Sequence, residues 1–190
     1  MVILIFEIII VQICTILEVE MSKSAQKILT TAQMLFNSYS FVGVGVDLIR
    51  DTSGCSKTTM YTYFKNKNQL IEQVLKQRDT FFKEQLSEIT IGLTGRKALE
   101  KIVQWHLDWF KTDTFKGCLF VRAVAESTPE QQEIRQIAIS HKQWLRGFIV
   151  EFDQVRGELL YCLLEGLISR FLVEGYCEEV AAQILKKALI

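Results

Sequence analysis

Lys57, Thr58, Tyr61 and Thr62 fall on one side of a short stretch whose other side is marked by Met60 and Phe64, four residues apart. Thr59 and Tyr63 flank them. The set offers one cation, several hydroxyls and two rings with polar tips, and it contains no carboxylate. That chemistry suits a DNA groove, where ammonium and hydroxyl groups meet phosphates and base edges and no anion repels the backbone. Ser56 precedes the stretch and makes a good N-cap, because its hydroxyl can accept a hydrogen bond from a free N–H of the first turn. A short amphipathic helix with a merely solvated polar face fits the same pattern.

The neighbouring residues must position such a helix. Asp47 to Ser53 reads as a short helix, with Leu48 and Ile49 able to face inward, and Gly54 supplies the permissive backbone of a tight turn. Helix, glycine turn, helix is the helix-turn-helix arrangement, whose second helix enters a major groove. The run Ile49-Arg50, Gly54-Cys55-Ser56-Lys57, Thr59-Met60-Tyr61-Thr62-Tyr63-Phe64 and Lys67 resembles the DNA-binding domain of the TetR/AcrR family, in residue type and in spacing. The resemblance implies an all-α fold. A three-helix helix-turn-helix domain would occupy residues 21–68, and a helical ligand-binding and dimerisation domain residues 69–190. Two departures stand out. Val44-Gly45 occupies the place of two hydroxyl residues, and Arg50 that of a usual alanine, so Arg50 either points at DNA or marks a helix that sits differently.

Composition agrees with a folded helical protein. The 190 residues are 49% hydrophobic and contain a single proline, Pro129. Net charge is zero, yet residues 21–78 hold eight Lys/Arg against three Asp/Glu, a modestly basic module on a slightly acidic remainder. The five cysteines (Cys14, Cys55, Cys118, Cys162, Cys177) are scattered without CxxC or Cys/His spacing. Neither a disulfide framework nor a zinc site is indicated, and reduced thiols are expected, with a thiol redox sensor as the alternative. No cofactor or metal is called for.

Residues 1–20 are almost wholly apolar and carry Glu7, Glu18 and Glu20 but no Lys or Arg. They lack the positive start of a signal peptide, and Glu7 and Gln12 interrupt the run a membrane span needs. Met21 reads as the true start, with a membrane anchor as the alternative. Ser24 is read as the cap of a first helix ending near Asn37, and Lys67 as sitting where its ammonium and a helix N-terminus meet one phosphate. The helix beginning there carries Leu70, Ile71, Val74, Leu75, Phe81, Phe82 and Leu86 and is long enough to leave the first domain. Pro129 reads as the first residue of a helix capped by Thr128, Asp153 to Gly157 as a short link, and residues 159–189 as two apolar helices. Two parallel stripes in the first of these, Leu159-Leu163-Leu167-Phe171 and Leu160-Leu164-Ile168-Leu172, suggest an intermolecular seam, or simply a closed monomer core.

The resemblance implies a cytoplasmic homodimer that represses transcription from a near-palindromic operator and is released by a small-molecule effector. Lys57, Thr58, Tyr61 and Thr62 would read bases, and Ser56, Thr59, Tyr63 and Lys67 would hold phosphates. Trp105, Trp109, Phe110, Phe120, His141 and Trp144 are the candidates for an effector pocket, with core packing as the competing role for each. An enzyme is not expected, because no nucleophile elbow, phosphate loop or HExxH spacing occurs. A membrane-tethered or protein-interaction helical module without operator binding is the competing reading.

Overall fold

The computed structural model describes residues 22–189, with side chains through Leu185. The apolar segment 1–20 and the start at Met21 lie outside the described residues. Among the described residues the secondary structure is entirely helical. The helices are α1 (Lys23–Ser38), α2 (Val46–Ser53), α3 (Lys57–Tyr63), α4 (Lys67–Thr90), α5 (Gly95–Phe110), α6 (Leu119–Glu126), α7 (Gln132–Phe152), α8 (Gln154–Glu174) and α9 (Glu178–Leu189). No described helix is long and apolar enough to cross a membrane.

Local chemistry sets most of the boundaries. Ser22, not Ser24, caps α1, its hydroxyl accepting from the Ala25 N–H at 3.2 Å. Ser24 lies inside the first turn, where a hydroxyl has no cap to make. Gly54 ends α2 in the left-handed region at φ 64°, a conformation that costs other residues a Cβ clash. Asn66 caps α4 by accepting from the Gln69 N–H at 2.8 Å. Pro129 does not open a helix. It sits inside a turn closed by the Gln131 N–H donating to the Thr128 carbonyl, a position its fixed φ favours, and α7 begins three residues later at Gln132.

The expected link at 153–157 is also absent. Asp153 alone separates α7 from α8, ending the first and capping the second by accepting from the Arg156 N–H at 2.9 Å. Gly157 lies within α8, at its closest approach to α7. A Cβ there would come 2.8 Å from Cα of Val150 and 2.9 Å from the Ile149 carbonyl oxygen. Glycine is required by contact, and the two helices form a tight hairpin.

Buried side chains gather in two clusters. The first joins α1, α2 and α3 to the start of α4 through Ile28, Phe36, Ile49, Met60, Phe64, Leu70 and Val74, and it takes in Leu119, Phe120 and Ala123 of α6 and Ile134 and Ala138 of α7. The second fills the body between the later part of α4 and α5, α7, α8 and α9, around Phe82, Leu86, Leu99, Ile102, Ile149, Leu160 and Leu164. Leu48 does not join them. It is 42% exposed, because the turn of α2 that buries Ile49 rotates its neighbour outward. On α8 the inner row Leu160, Leu164, Leu167, Ile168 and Phe171 is buried, whereas Leu159, Leu172 and Val173 stand exposed.

Polar contacts tie the helix-turn-helix unit to the body. The Arg122 guanidinium on α6 donates to the carbonyls of Asn37 at 2.9 Å, Phe36 at 3.2 Å and Tyr39 at 2.9 Å. These are the free acceptors at the C-terminal end of α1, which a cation completes. Glu126, one turn along α6, accepts from the Val42 N–H at 3.0 Å, and Asn37 donates to the Thr114 carbonyl at 2.8 Å.

Candidate nucleic-acid interface and ligand cleft

Helix α3 is short, and it is held at both ends and from beneath. Ser56 accepts from the Thr59 N–H at 3.0 Å, and the two hydroxyls lie 2.7 Å apart. Met60 and Phe64 are almost wholly buried under it, as their spacing predicts. Lys57, Thr58, Tyr61, Thr62 and Tyr63 are left exposed, with Thr59 half-buried. Thr62 donates to the Thr58 carbonyl at 2.9 Å, which uses its hydroxyl proton and leaves its oxygen as an acceptor.

Two cations near this face are engaged within the protein. Arg50 lies against Asp51 at 2.7 Å and Asp47 at 2.9 Å, and these carboxylates favour its charge. Lys57 Nζ stands 3.5 Å from the same Asp47. Phosphate oxygens would compete directly with Asp47 for both. Lys67 occupies the first turn of α4 but bends back, donating to the Val42 carbonyl at 3.4 Å, and partial burial lowers its pKa.

The six aromatic and histidine candidates of the body separate into two groups. Trp109, Phe120 and His141 line one narrow cleft between α4, α5, α6, α7 and α8, with a free volume of only about 10 Å³. His141 stacks on Phe120 at 3.7 Å and 11° and bonds Asp79 through Nδ1 at 2.8 Å. Trp105, Phe110 and Trp144 lie outside it. Trp105 packs edge-on against Phe82 at 4.9 Å, Phe110 meets Phe115 and Phe171, and Trp144 stacks on Phe148 at 5.3 Å.

Polar groups absent from the sequence-based set complete the cleft: Arg78, His106, Cys118, Lys142 and Glu165. Lys142 is paired with Glu165 at 2.6 and 2.7 Å. Burial works against its charge, but Cys118 and Glu165 together outweigh that and raise its pKa. His106 is completely buried. Its Nδ1 lies 2.8 Å from the Ile102 carbonyl, and its Nε2 has no hydrogen-bond partner. Burial, only partly opposed by that carbonyl, pushes its pKa down to about 4, so the ring is neutral at pH 7. Burial likewise holds His141 at about 4, with Asp79 pulling the other way. A charged residue in an apolar helical row was the available signal: Arg78 falls between Leu75 and Phe82, and Glu165 between Leu164 and Leu167.

A capped recognition-type helix after a glycine turn, joined to a helical body, defines a helix-turn-helix protein. Residues 28–74 match the family described as "Bacterial regulatory proteins, tetR family". This match assigns the segment, and with it the helix-turn-helix, to the TetR-type DNA-binding module. It is 30% identical over 84 residues to the Transposon Tn10 TetC protein of Escherichia coli, a match spanning 44% of this chain and 43% of that protein. Among solved structures, a TetR-family transcriptional regulator from Streptomyces coelicolor superposes with a TM-score of 0.78 at 21% identity, over 88% of this chain and 93% of that one. The TetR-family regulator CifR, in a cysteine-substituted form complexed with 26-bp double-strand operator DNA, superposes with a TM-score of 0.73 at 16% identity, over 86% and 94%. These likenesses show a shared fold.

Proposed function

We propose that the protein is a cytoplasmic, dimeric transcriptional repressor that binds a near-palindromic operator and leaves it when a small molecule occupies the body. The exposed polar face of α3 carries this reading. It is capped by Ser56, anchored by Met60 and Phe64, and lies in a domain of the TetR family. Lys57, Thr58, Tyr61 and Thr62 reach base edges. Ser56, Thr59, Tyr63 and Lys67 meet phosphates, Lys67 after releasing the Val42 carbonyl. The division at residue 68 assigns DNA binding to the first part of the chain and effector binding and dimerisation to the second. Exposed Leu159, Leu172 and Val173 on α8 support a seam between two copies through residues 159–189. Two copies related by a dyad would set their α3 helices into successive major grooves about one helical turn apart.

Selection of the full chain against random duplex DNA tests the proposal, with retention compared at low and moderate salt. An inverted repeat should be enriched, and binding should fall as salt rises. Lys67→Ala should weaken every sequence alike, whereas Tyr61→Ala should relax the choice of base, by about 1–3 kcal/mol of discrimination. Recovery of no common sequence, with both variants behaving as the parent, would sink the reading.

A further inference from the structure

The cleft in the body is almost closed, yet among the described residues it holds a cation with no carboxylate partner and a buried ring nitrogen with no hydrogen-bond partner. Arg78 reaches it from α4, with its guanidinium 5.0 Å above the ring of Phe82 and 5.6 Å from that of Trp109. Among the described residues no carboxylate lies within ion-pair distance of it, while the other charged groups in the cleft, Lys142 and Glu165, pair with each other. The second is His106. A carbonyl only accepts, so the contact with Ile102 places the ring proton on Nδ1 and leaves Nε2 as a lone-pair acceptor. That atom is buried and unpartnered, a costly state for a polar group in the interior.

We infer that the effector is a small aromatic carboxylic acid bearing a hydroxyl or N–H donor, its carboxylate taken by Arg78 and its donor by Nε2 of His106. This rests on the effector-released regulator proposed above and gives that effector a chemical class. A guanidinium fork matches a carboxylate in two parallel hydrogen bonds. A neutral imidazole acceptor requires a donor. The rings of Phe82, Trp109 and Phe120 line the same cleft and favour a flat body.

Access follows from the same residues. Arg78 and Leu119 also line an open groove of about 370 Å³ between α1 and the connector preceding α6, so they partition a ligand-sized vestibule from the closed cleft. A ligand passing this partition must displace Leu119 and Phe120, the first two residues of α6. Three residues further along, Arg122 holds the end of α1. An acid that binds only the opened cleft therefore favours a different placement of the helix-turn-helix unit, through its unequal affinity for the two states.

Calorimetry on the full chain tests this with three probes: phloretate, its neutral amide phloretamide, and hydrocinnamate, which keeps the carboxylate and lacks the hydroxyl. Phloretate should bind and lower operator retention. The amide and hydrocinnamate should each bind about tenfold more weakly or worse. Arg78→Gln, with its fold checked by circular dichroism, should bind the acid no better than the amide and leave the amide's affinity unchanged. Equal affinity of the parent protein for acid and amide, or no binding of phloretate by a protein that still retains operator DNA, would overturn the inference alone. Binding of the acid by a protein that retains no DNA would overturn the regulator and leave the ligand site standing.

Discussion

Helix α3 and the body cleft handle their polar groups in opposite ways. On α3 the backbone needs are met internally, by Ser56 at the start and by the Phe64 N–H donating to the Met60 carbonyl at the end. The side chains that remain face water, where waiting costs little. In the cleft, His106 is withdrawn from water with Nε2 unpartnered, half-buried Arg78 has aromatic rings but no carboxylate beside it among the described residues, and the space between the walls is nearly filled. The first region is an exposed surface whose backbone is already satisfied, and its cations, Lys57 on Asp47 and Lys67 on the Val42 carbonyl, are engaged elsewhere. As the effector site proposed above, the second would have to open to be filled, and occupancy could be reported because it would change the cleft's shape.

Removing Phe120 should produce the largest effect on this contrast. Its ring belongs to the first cluster, lines the cleft and stacks on His141. Phe120→Ala should destabilise the protein by about 3–5 kcal/mol, read by urea denaturation. A loss below about 1 kcal/mol would show that the cleft wall is not under packing load. Acid should act next. The folded pKa of His106, about 4, lies below its unfolded value near 6.5, so its contribution is complete above about pH 6.5 and is lost progressively as pH falls towards 4. The loss due to His106 should be on the order of 2–3 kcal/mol, and His106→Gln should reduce the slope over that window, leaving the part contributed by His141. A parent profile already flat there would contradict a neutral, buried ring. Ser56→Ala should have the smallest effect, about 1 kcal/mol, since it removes one cap from an exposed helix. If its cost matched that of Phe120→Ala, the two regions would not differ as described.

Legibility in the sequence follows the same division. The elements around α3 are governed by neighbours in the chain: a glycine for φ 64°, a serine three residues before the N–H it caps, and two apolar residues four apart. Such signals are local, so type and spacing suffice. Pro129 shows their limit, because a proline suits the first turn of a helix and the second position of a turn equally well. Gly157 shows another limit. It reads as part of a link but is there for Val150 of the preceding helix, a contact made across a hairpin. The cleft was half legible. Trp109, Phe120 and His141 announce themselves as aromatic surface, but Arg78, Lys142 and Glu165 come from three different helices and acquire meaning only when packing brings them together. Arg50 was the open question of the basic face, and the fold sets it against two carboxylates, Asp47 and Asp51.

The joint at Asp153 carries a consequence for how sequences of this architecture can change. A loop of several residues absorbs an insertion or deletion by bulging, but a joint of one residue has no slack. Adding or removing a residue there would rotate α8 about its own axis by roughly 100°. The exposed Leu159 and Leu172 would then exchange places with side chains now packed inside, and Gly157 would no longer lie against Val150. The angular phase between α7 and α8 is thus fixed by chain length, and substitutions within the hairpin are open to evolution in a way that changes of length are not.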